Sequence, residues 1–316
     1  MAVENRPDRR DIEIPCDDHV LAGWHYPPSP SSDLVDADGR SPVVVLAHGY
    51  SLTRDSGLAR YAERFADAGF HAVVFDYSGF GDSGGEPRDV VSVSRQLRDW
   101  SCAIAAARGL DAVDPRRVAL WGTSYSGGLV VAAAADDGGV AAVVAQVPNL
   151  DNLATLRFIV KNTSPAMQAW LVASVSRDVT HAVLRRKPYY VRAVGPAGAK
   201  AAYASDESWA QLSQIAGPEW QNRVGLRDFA TLPVFRAVSH LDKLPCRIQF
   251  WACDRDDLTP VQPTLDAAAR LGDRAELHRL PTGHFGIYLD PYFDTAVGEQ
   301  IGFLTRELRP GAHSAS

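Results

Sequence analysis

Residues 117–128, RVALWGTSYSGG, restrict the possible folds more than any other part of the sequence. Val118 to Trp121 form an apolar run of the kind found in a strand covered on both faces. The run breaks at Gly122-Thr123-Ser124-Tyr125-Ser126-Gly127-Gly128 and passes into residues 129–135, small and apolar enough for a buried helix. Strand, abrupt turn and helix make the setting in which a serine is held at the apex of a sharp bend above a sheet. So tight a bend needs small residues two positions before and two after the serine. Gly122 and Ser126 satisfy this, although the usual pattern has glycine at the second place and this chain delays it to Gly127. The helix would aim its first N–H groups at Ser124, where negative charge develops if that serine attacks a carbonyl.

The flanking sequence repeats the rhythm. Residues 11–16 and 20–26 read as two short strands joined at Asp17-Asp18, and 27–41 as a loop by composition. Residues 42–47 form an apolar strand ending in His48-Gly49-Tyr50. A helix with its apolar face at Leu58, Tyr61, Ala62, Phe65 and Ala66 follows and stops at Gly69. Residues 71–77 and 140–147 are further buried strands, and 90–108 is helical. From 148 to about 242 no run reads as a buried strand; helical pieces rich in aromatic residues take over. Strands resume at 246–252 and 275–280, with helices at 263–271 and 292–308. Alternating buried strands and helices imply a mostly parallel sheet of eight strands with helices on both faces. The expected domains are a core of residues 1–148 and 243–316 and an inserted helical cap of residues 149–242, between the sixth and seventh strands.

Composition removes several classes. The chain has 316 residues, 46% hydrophobic and 22% charged, with a net charge of −6. The basic residues are scattered, which argues against a nucleic-acid partner, because phosphate binding needs a positive face. No apolar run approaches the roughly 18 residues of a membrane span. The first residues, polar and expected to fray over 1–10, show no apolar segment after their charges, so no secretory leader and a cytoplasmic location are expected. The four cysteines, Cys16, Cys102, Cys246 and Cys253, are far apart and match no metal spacing; reduced, mostly buried thiols are expected. Nothing in the sequence sets an oligomeric state.

A serine alcohol needs a base to take its proton, and the base needs a carboxylate to fix its tautomer. After the strand ending at Ala252 come Asp254, Asp256 and Asp257; after the strand ending at Leu280 comes Gly283-His284-Phe285. Of nine histidines, His284 alone stands on a loop beyond a late strand and beside a glycine. The order Ser, Asp, His is that of the α/β-hydrolases. On residue type and place all three aspartates are open.

The pieces VVVLAHGY, FDYSGFGDSGG, WGTSYSGG, DDLTP and GHF resemble bacterial and fungal α/β-hydrolases related to the dienelactone-hydrolase and X-Pro-peptidase-like groups, which include polyketide-processing hydrolases and acyltransferases. The resemblance runs from about Ile12 to Leu308 and takes in Trp220-Gln221-Asn222-Arg223-Val224, similar to a W-x-N-x-V stretch in such relatives. It implies an α/β-hydrolase fold with Ser124 as nucleophile, His284 as base and Asp256, four residues before the loop proline, as acid. The backbone N–H groups of Tyr50 and Tyr125 would form the oxyanion hole, and His48 would brace the loop. Ser78 stands where an arginine is common, so loss of a structural hydrogen-bond anchor is expected there.

Gly79-Phe80-Gly81-Asp82-Ser83-Gly84 fits G-x-G-x-x-G, but Glu86-Pro87-Arg88 intervene before any helix and the strand is not the first of its unit. No cofactor and no metal site is expected. The aromatic residues of the insert either form its own core or line a lid over Ser124; Trp170, Tyr190 and Trp220, with Phe285, are the candidates for substrate contact. The expected activity is hydrolysis of an ester, lactone or thioester of a small-molecule acyl substrate. The rivals are an acyltransferase, a peptidase, a non-catalytic ligand-binding protein of this fold, and an eliminating or cyclising enzyme that needs His284 but not Ser124.

Overall fold

The structure, a computed structural model, describes residues 9–29 and 33–311. Most of the N-terminal stretch expected to fray, and residues 30–32 of the loop at 27–41, lie outside the described residues.

The strands β1 (Arg10–Cys16), β2 (His19–Tyr26), β3 (Ser41–Ala47), β4 (His71–Phe75), β5 (Val113–Thr123), β6 (Ala142–Gln146), β10 (Arg247–Cys253) and β11 (Ala275–Leu280) form one sheet of eight. Its order is β1-β2-β4-β3-β5-β6-β10-β11, antiparallel at β1–β2 and β2–β4 and parallel from there on. The central strands β3, β4 and β6 are buried at every position, as expected for a sheet covered on both faces. Helices α1 (Leu58–Asp67), α2 (Val93–Arg108), α3 (Tyr125–Asp137), α7 (Gln262–Leu271) and α8 (Tyr292–Glu307) cover it. β5 begins earlier than its apolar run: Arg117 enters the buried strand because Asp114 and Asp36 pair with its guanidinium.

Between β6 and β10 the insert opens with α4 (Asn152–Asn162) and α5 (Pro165–Val183). Asp151 and Ser164 cap their first turns, accepting from the N–H groups of Leu153 and Ala154, and of Met167. The insert, expected to be helical with no buried strand, also contains strands. β7 (Tyr190–Gly195), β8 (Ala201–Ala204) and β9 (Val224–Gly225) form a second, three-stranded sheet, with α6 (Asp206–Ile215) between β8 and β9. The W-x-N-x-V stretch holds it together. The Asn222 side chain accepts from the N–H groups of Ala193 and Val194 at 3.0 Å each and donates to the Val194 carbonyl at 2.8 Å, so it supplies the bonds of a missing strand.

Two further expectations change. Cys16, at the end of β1, is disulfide-bonded to Cys102 in α2, so only Cys246 and Cys253 are free thiols. The bond joins an outer strand to the helix packed on it, and a separation of 86 residues gave no sign of that proximity. At Ser78 the anchor is retained: its N–H and hydroxyl both donate to the buried Asp99 carboxylate, and His19 Nε2 meets the same hydroxyl. No helix among the described residues is long and apolar enough to cross a membrane.

Candidate active site

Four parallel strands end at the same edge of the sheet, and each end carries one part of the site. β5 ends at Ser124, which starts α3 with φ 57° and ψ −119°, in the left-handed half of backbone space that a non-glycine residue occupies under strain. The small residues around it are required by contact. A Cβ on Gly122 would lie 2.3 Å from the Ser126 carbonyl oxygen, and one on Gly49 would lie 3.1 Å from the Ser124 Cβ. Ser126 does more than stay small: its hydroxyl donates to the His48 carbonyl and meets the Tyr77 hydroxyl, to which Trp100 Nε1 donates at 2.8 Å. The bend bearing Ser124 is thereby tied to the loop after β3.

The loops after β10 and β11 bring in the carboxylate and the imidazole. His284 Nε2 lies 2.9 Å from Ser124 Oγ, and His284 Nδ1 lies 2.7 Å from Asp256 Oδ2. Both side chains are buried, whereas Ser124 is half-open. Asp256 also accepts from the N–H groups of Leu258 and Thr259, at 2.9 and 2.8 Å, and from the Thr259 hydroxyl at 2.9 Å, which fixes its orientation. The other two aspartates are engaged elsewhere. Asp254 accepts from Arg279, and Asp257 accepts from the hydroxyls of Ser205 and Ser208 at the start of α6.

Tyr125 is the first residue of α3, where an N–H has no carbonyl one turn earlier to bond. Tyr50 follows Gly49, whose backbone rests against Ser124. His48 braces this loop. Its Nδ1 bonds the Gly49 carbonyl at 3.0 Å, its Nε2 accepts from the Tyr77 N–H at 3.4 Å, and burial lowers its pKa to about 4.

Above Ser124 is a cavity of about 30 Å³ whose walls include Tyr50, Tyr125, Tyr203, Leu258, Phe285 and Tyr288. Of the four aromatic residues suggested for substrate contact, Phe285 is in this wall and the other three are not. Trp220 Nε1 donates to the Ser51 carbonyl at 2.9 Å, bracing the loop after β3 from behind. The Tyr190 hydroxyl donates to the Arg88 carbonyl at 3.0 Å, and Arg223 lies over its ring. Trp170 is half-buried on α5. Tyr203 was missed because it sits on a four-residue strand, too short to show a pattern. A second and larger cavity, about 830 Å³, lies between residues 87–97 and 227–235.

The G-x-G-x-x-G segment turns back on itself through Gly79 N–H to the Gly84 carbonyl at 2.7 Å, and α2 opens only at Val93, so no helix N-terminus faces those glycines. Among the described residues no group of three or more His, Cys, Asp or Glu side chains is placed to hold a metal ion.

A serine on a strained strand-to-helix bend, with an aspartate and then a histidine from later strand ends, on this sheet, defines an enzyme of the α/β-hydrolase class. Within that class the match is to the X-Pro dipeptidyl-peptidase (S15) family, over residues 21–234, and the chain belongs to that family. It is similar to the quorum-quenching protein AidA of Acinetobacter baumannii, 32% identical over 298 residues and 94% of each chain. It is also similar to the thiohydrolase aneE of Aspergillus aculeatus, 25% identical over 86% of each chain. Among solved structures, the α/β hydrolase GrgF of Penicillium sp. sh18 superposes with a TM-score of 0.76 at 21% identity, covering 95% of this chain and 99% of that one.

Proposed function

We propose that the protein cleaves a carboxylic ester, lactone or thioester through an acyl-Ser124 intermediate. The observation that carries this reading is the unbroken hydrogen-bonded series from Ser124 through His284 to Asp256. His284 Nε2 takes the Ser124 proton as Oγ attacks the acyl carbon, and Asp256 holds the resulting imidazolium. The Tyr50 and Tyr125 N–H groups stabilise the oxyanion, each such donor typically contributing roughly 2.7–4 kcal/mol. The bond to the leaving group breaks as His284 returns the proton to it. Water, deprotonated by His284, then releases the acid and regenerates Ser124. A cavity of about 30 Å³ holds little more than water, so acyl groups enter by movement of the insert, which acts as a lid.

An acyltransferase outcome uses the same acyl-enzyme with an alcohol or amine in place of water. The narrow cavity, and a relative named as the polyketide transferase grgF of Penicillium, support keeping this second reading. Product analysis with and without an added alcohol separates the two. Location is a further proposal. The cytoplasm is the reading from the sequence, and the Cys16–Cys102 bond counts against it, because reducing surroundings open such bonds. Thiol counting on protein from freshly quenched cells decides it: four reactive thiols support the cytoplasm and two oppose it.

Ser124→Ala tests the function. The proposal requires kcat/KM on an activated ester to fall by roughly 10⁴–10⁶ in a protein of unchanged fold. Retained turnover refutes it.

A further inference from the structure

The insert places a carboxyl group behind Tyr50, in the wall of the larger cavity, that the proposed chemistry does not use. Asp228 is 6% exposed; its Oδ2 accepts from the Tyr50 hydroxyl at 3.2 Å, while its Oδ1 is buried with no partner among the described residues. The Tyr125 hydroxyl is likewise buried without a partner. Tyr50 packs edge-on against Tyr125, Tyr203 and Phe229, so these groups form one cluster. Tyr50 lines the small cavity and Asp228 lines the large one, which makes their hydrogen bond the partition between the two. A buried polar atom left unbonded costs free energy comparable to a lost hydrogen bond. Such atoms on either side of this partition, Tyr125 toward the small cavity and Asp228 toward the large one, suit a ligand that passes between the cavities and satisfies both.

We propose that Asp228 and Tyr125, set beside Tyr50, form a subsite that binds a second oxygen, a keto or amide carbonyl, carried on the acyl group of the substrate. This rests on the acyl-enzyme reading above. The acyl chain runs from Ser124 past the partition toward the larger cavity. The preference for a hydrogen-bond acceptor follows from the charge around Asp228. Tyr50, Tyr125 and Tyr203 face it, and its neighbour Arg227 is turned away to Asp178 on α5, at 2.8 Å, so no cation balances a carboxylate. Burial accordingly pushes the Asp228 carboxyl up to about 8, so at neutral pH it is mainly the acid. With Oδ2 accepting from Tyr50, the acid proton on Oδ1 is available to donate. The Tyr125 hydroxyl is a second donor.

The experiment compares kcat/KM for plain octanoyl N-acetylcysteamine thioester with its 3-, 5- and 7-keto isomers. In the wild type one keto isomer is favoured over the plain chain by roughly 10-fold or more. Asp228→Leu brings that ratio to near one, Tyr125→Phe lowers it, and Asp228→Asn, which keeps a neutral donor and an acceptor, preserves most of it. The proposal is overturned if no keto isomer is preferred by the wild type. It is equally overturned if Asp228→Leu lowers both substrates by the same factor, or if Asp228→Asn loses the preference as fully as the leucine variant. Should the leucine variant not fold, the wild-type ratio and the asparagine and phenylalanine variants decide. Intact mass after mixing wild type with the plain thioester separates the two claims. Acylated Ser124 without a keto preference ends this inference alone, whereas no acylation ends the reading beneath it.

Discussion

In the sheet, β3, β4 and β6 are buried along their whole length and the groups that meet at Ser124 all stand at strand ends. In the insert, β7 alternates Arg192 with buried Val191 and Ala193, while α5 turns Val172 and Val183 outward. The contrast separates two duties. The sheet fixes positions through backbone geometry that tolerates almost no substitution. The insert provides side chains around the cavity, Val194 and Tyr203 among them, and on the function proposed above these would bear on which acyl group fits.

The largest effect that would sharpen this contrast is at Gly122. Gly122→Ala puts a methyl group into the Ser126 carbonyl and the Val130 side chain, at 2.3 and 2.7 Å, so it removes activity and destabilises the fold by about 3 kcal/mol or more. A stable, active variant in urea titration and ester assay would break the claim that backbone contact sets the site. Next is Ser126→Ala, which frees the His48 carbonyl and the Tyr77 hydroxyl. It lowers kcat roughly 10-fold with KM little changed, since the loop carrying the Tyr50 N–H is no longer tied down. An equal rise in KM would assign Ser126 to binding instead.

Two buried histidines of the core and one buried carboxyl of the insert respond to pH with opposite signs. In the core, burial beside His71 lowers the His25 pKa to about 4, and burial does the same for His48. Their stabilising contribution is complete above the unfolded value near 6.5 and is lost as pH falls toward 4, amounting to roughly 2 kcal/mol per histidine at pH 5. In the insert, the raised Asp228 contributes below its unfolded value near 4, and that contribution disappears as pH rises through about 8. Residue-resolved hydrogen exchange should therefore show amides around His25 and His48 losing protection on acidification and amides near Asp228 losing it toward pH 9. His25→Gln should flatten the core slope; an unchanged slope contradicts the assignment. The smallest effect is at Gly298, exposed in α8 with nothing within 4 Å of an added Cβ. Gly298→Ala raises stability by about 0.5–1 kcal/mol, seen as a small increase in Tm.

The same contrast explains what could be read in advance. The sheet was legible because each buried strand is a continuous apolar run closed by a turn, and because Ser124 and His284 stand just beyond such runs. The choice among Asp254, Asp256 and Asp257 could not come from residue type. It needed the direction each carboxylate takes: one toward His284, one toward Arg279, one toward α6. In the insert, β7 was hidden because part of its pairing comes from the Asn222 side chain instead of a full neighbouring strand. Aromatic character does not reveal that the Trp220 indole N–H or the Tyr190 phenol is committed to a backbone carbonyl, so neither lines the pocket its residue type suggests. The disulfide depended on α2 lying across β1, a contact between segments that share no local pattern.

The most direct test of the central claim is intact-protein mass spectrometry, with peptide mapping, after rapid mixing with activated esters of graded chain length. The account predicts a single added acyl group on the peptide carrying Ser124, lost over time in water and absent in Ser124→Ala. Acyl label on any other residue, or turnover of the ester with none on Ser124, would contradict it.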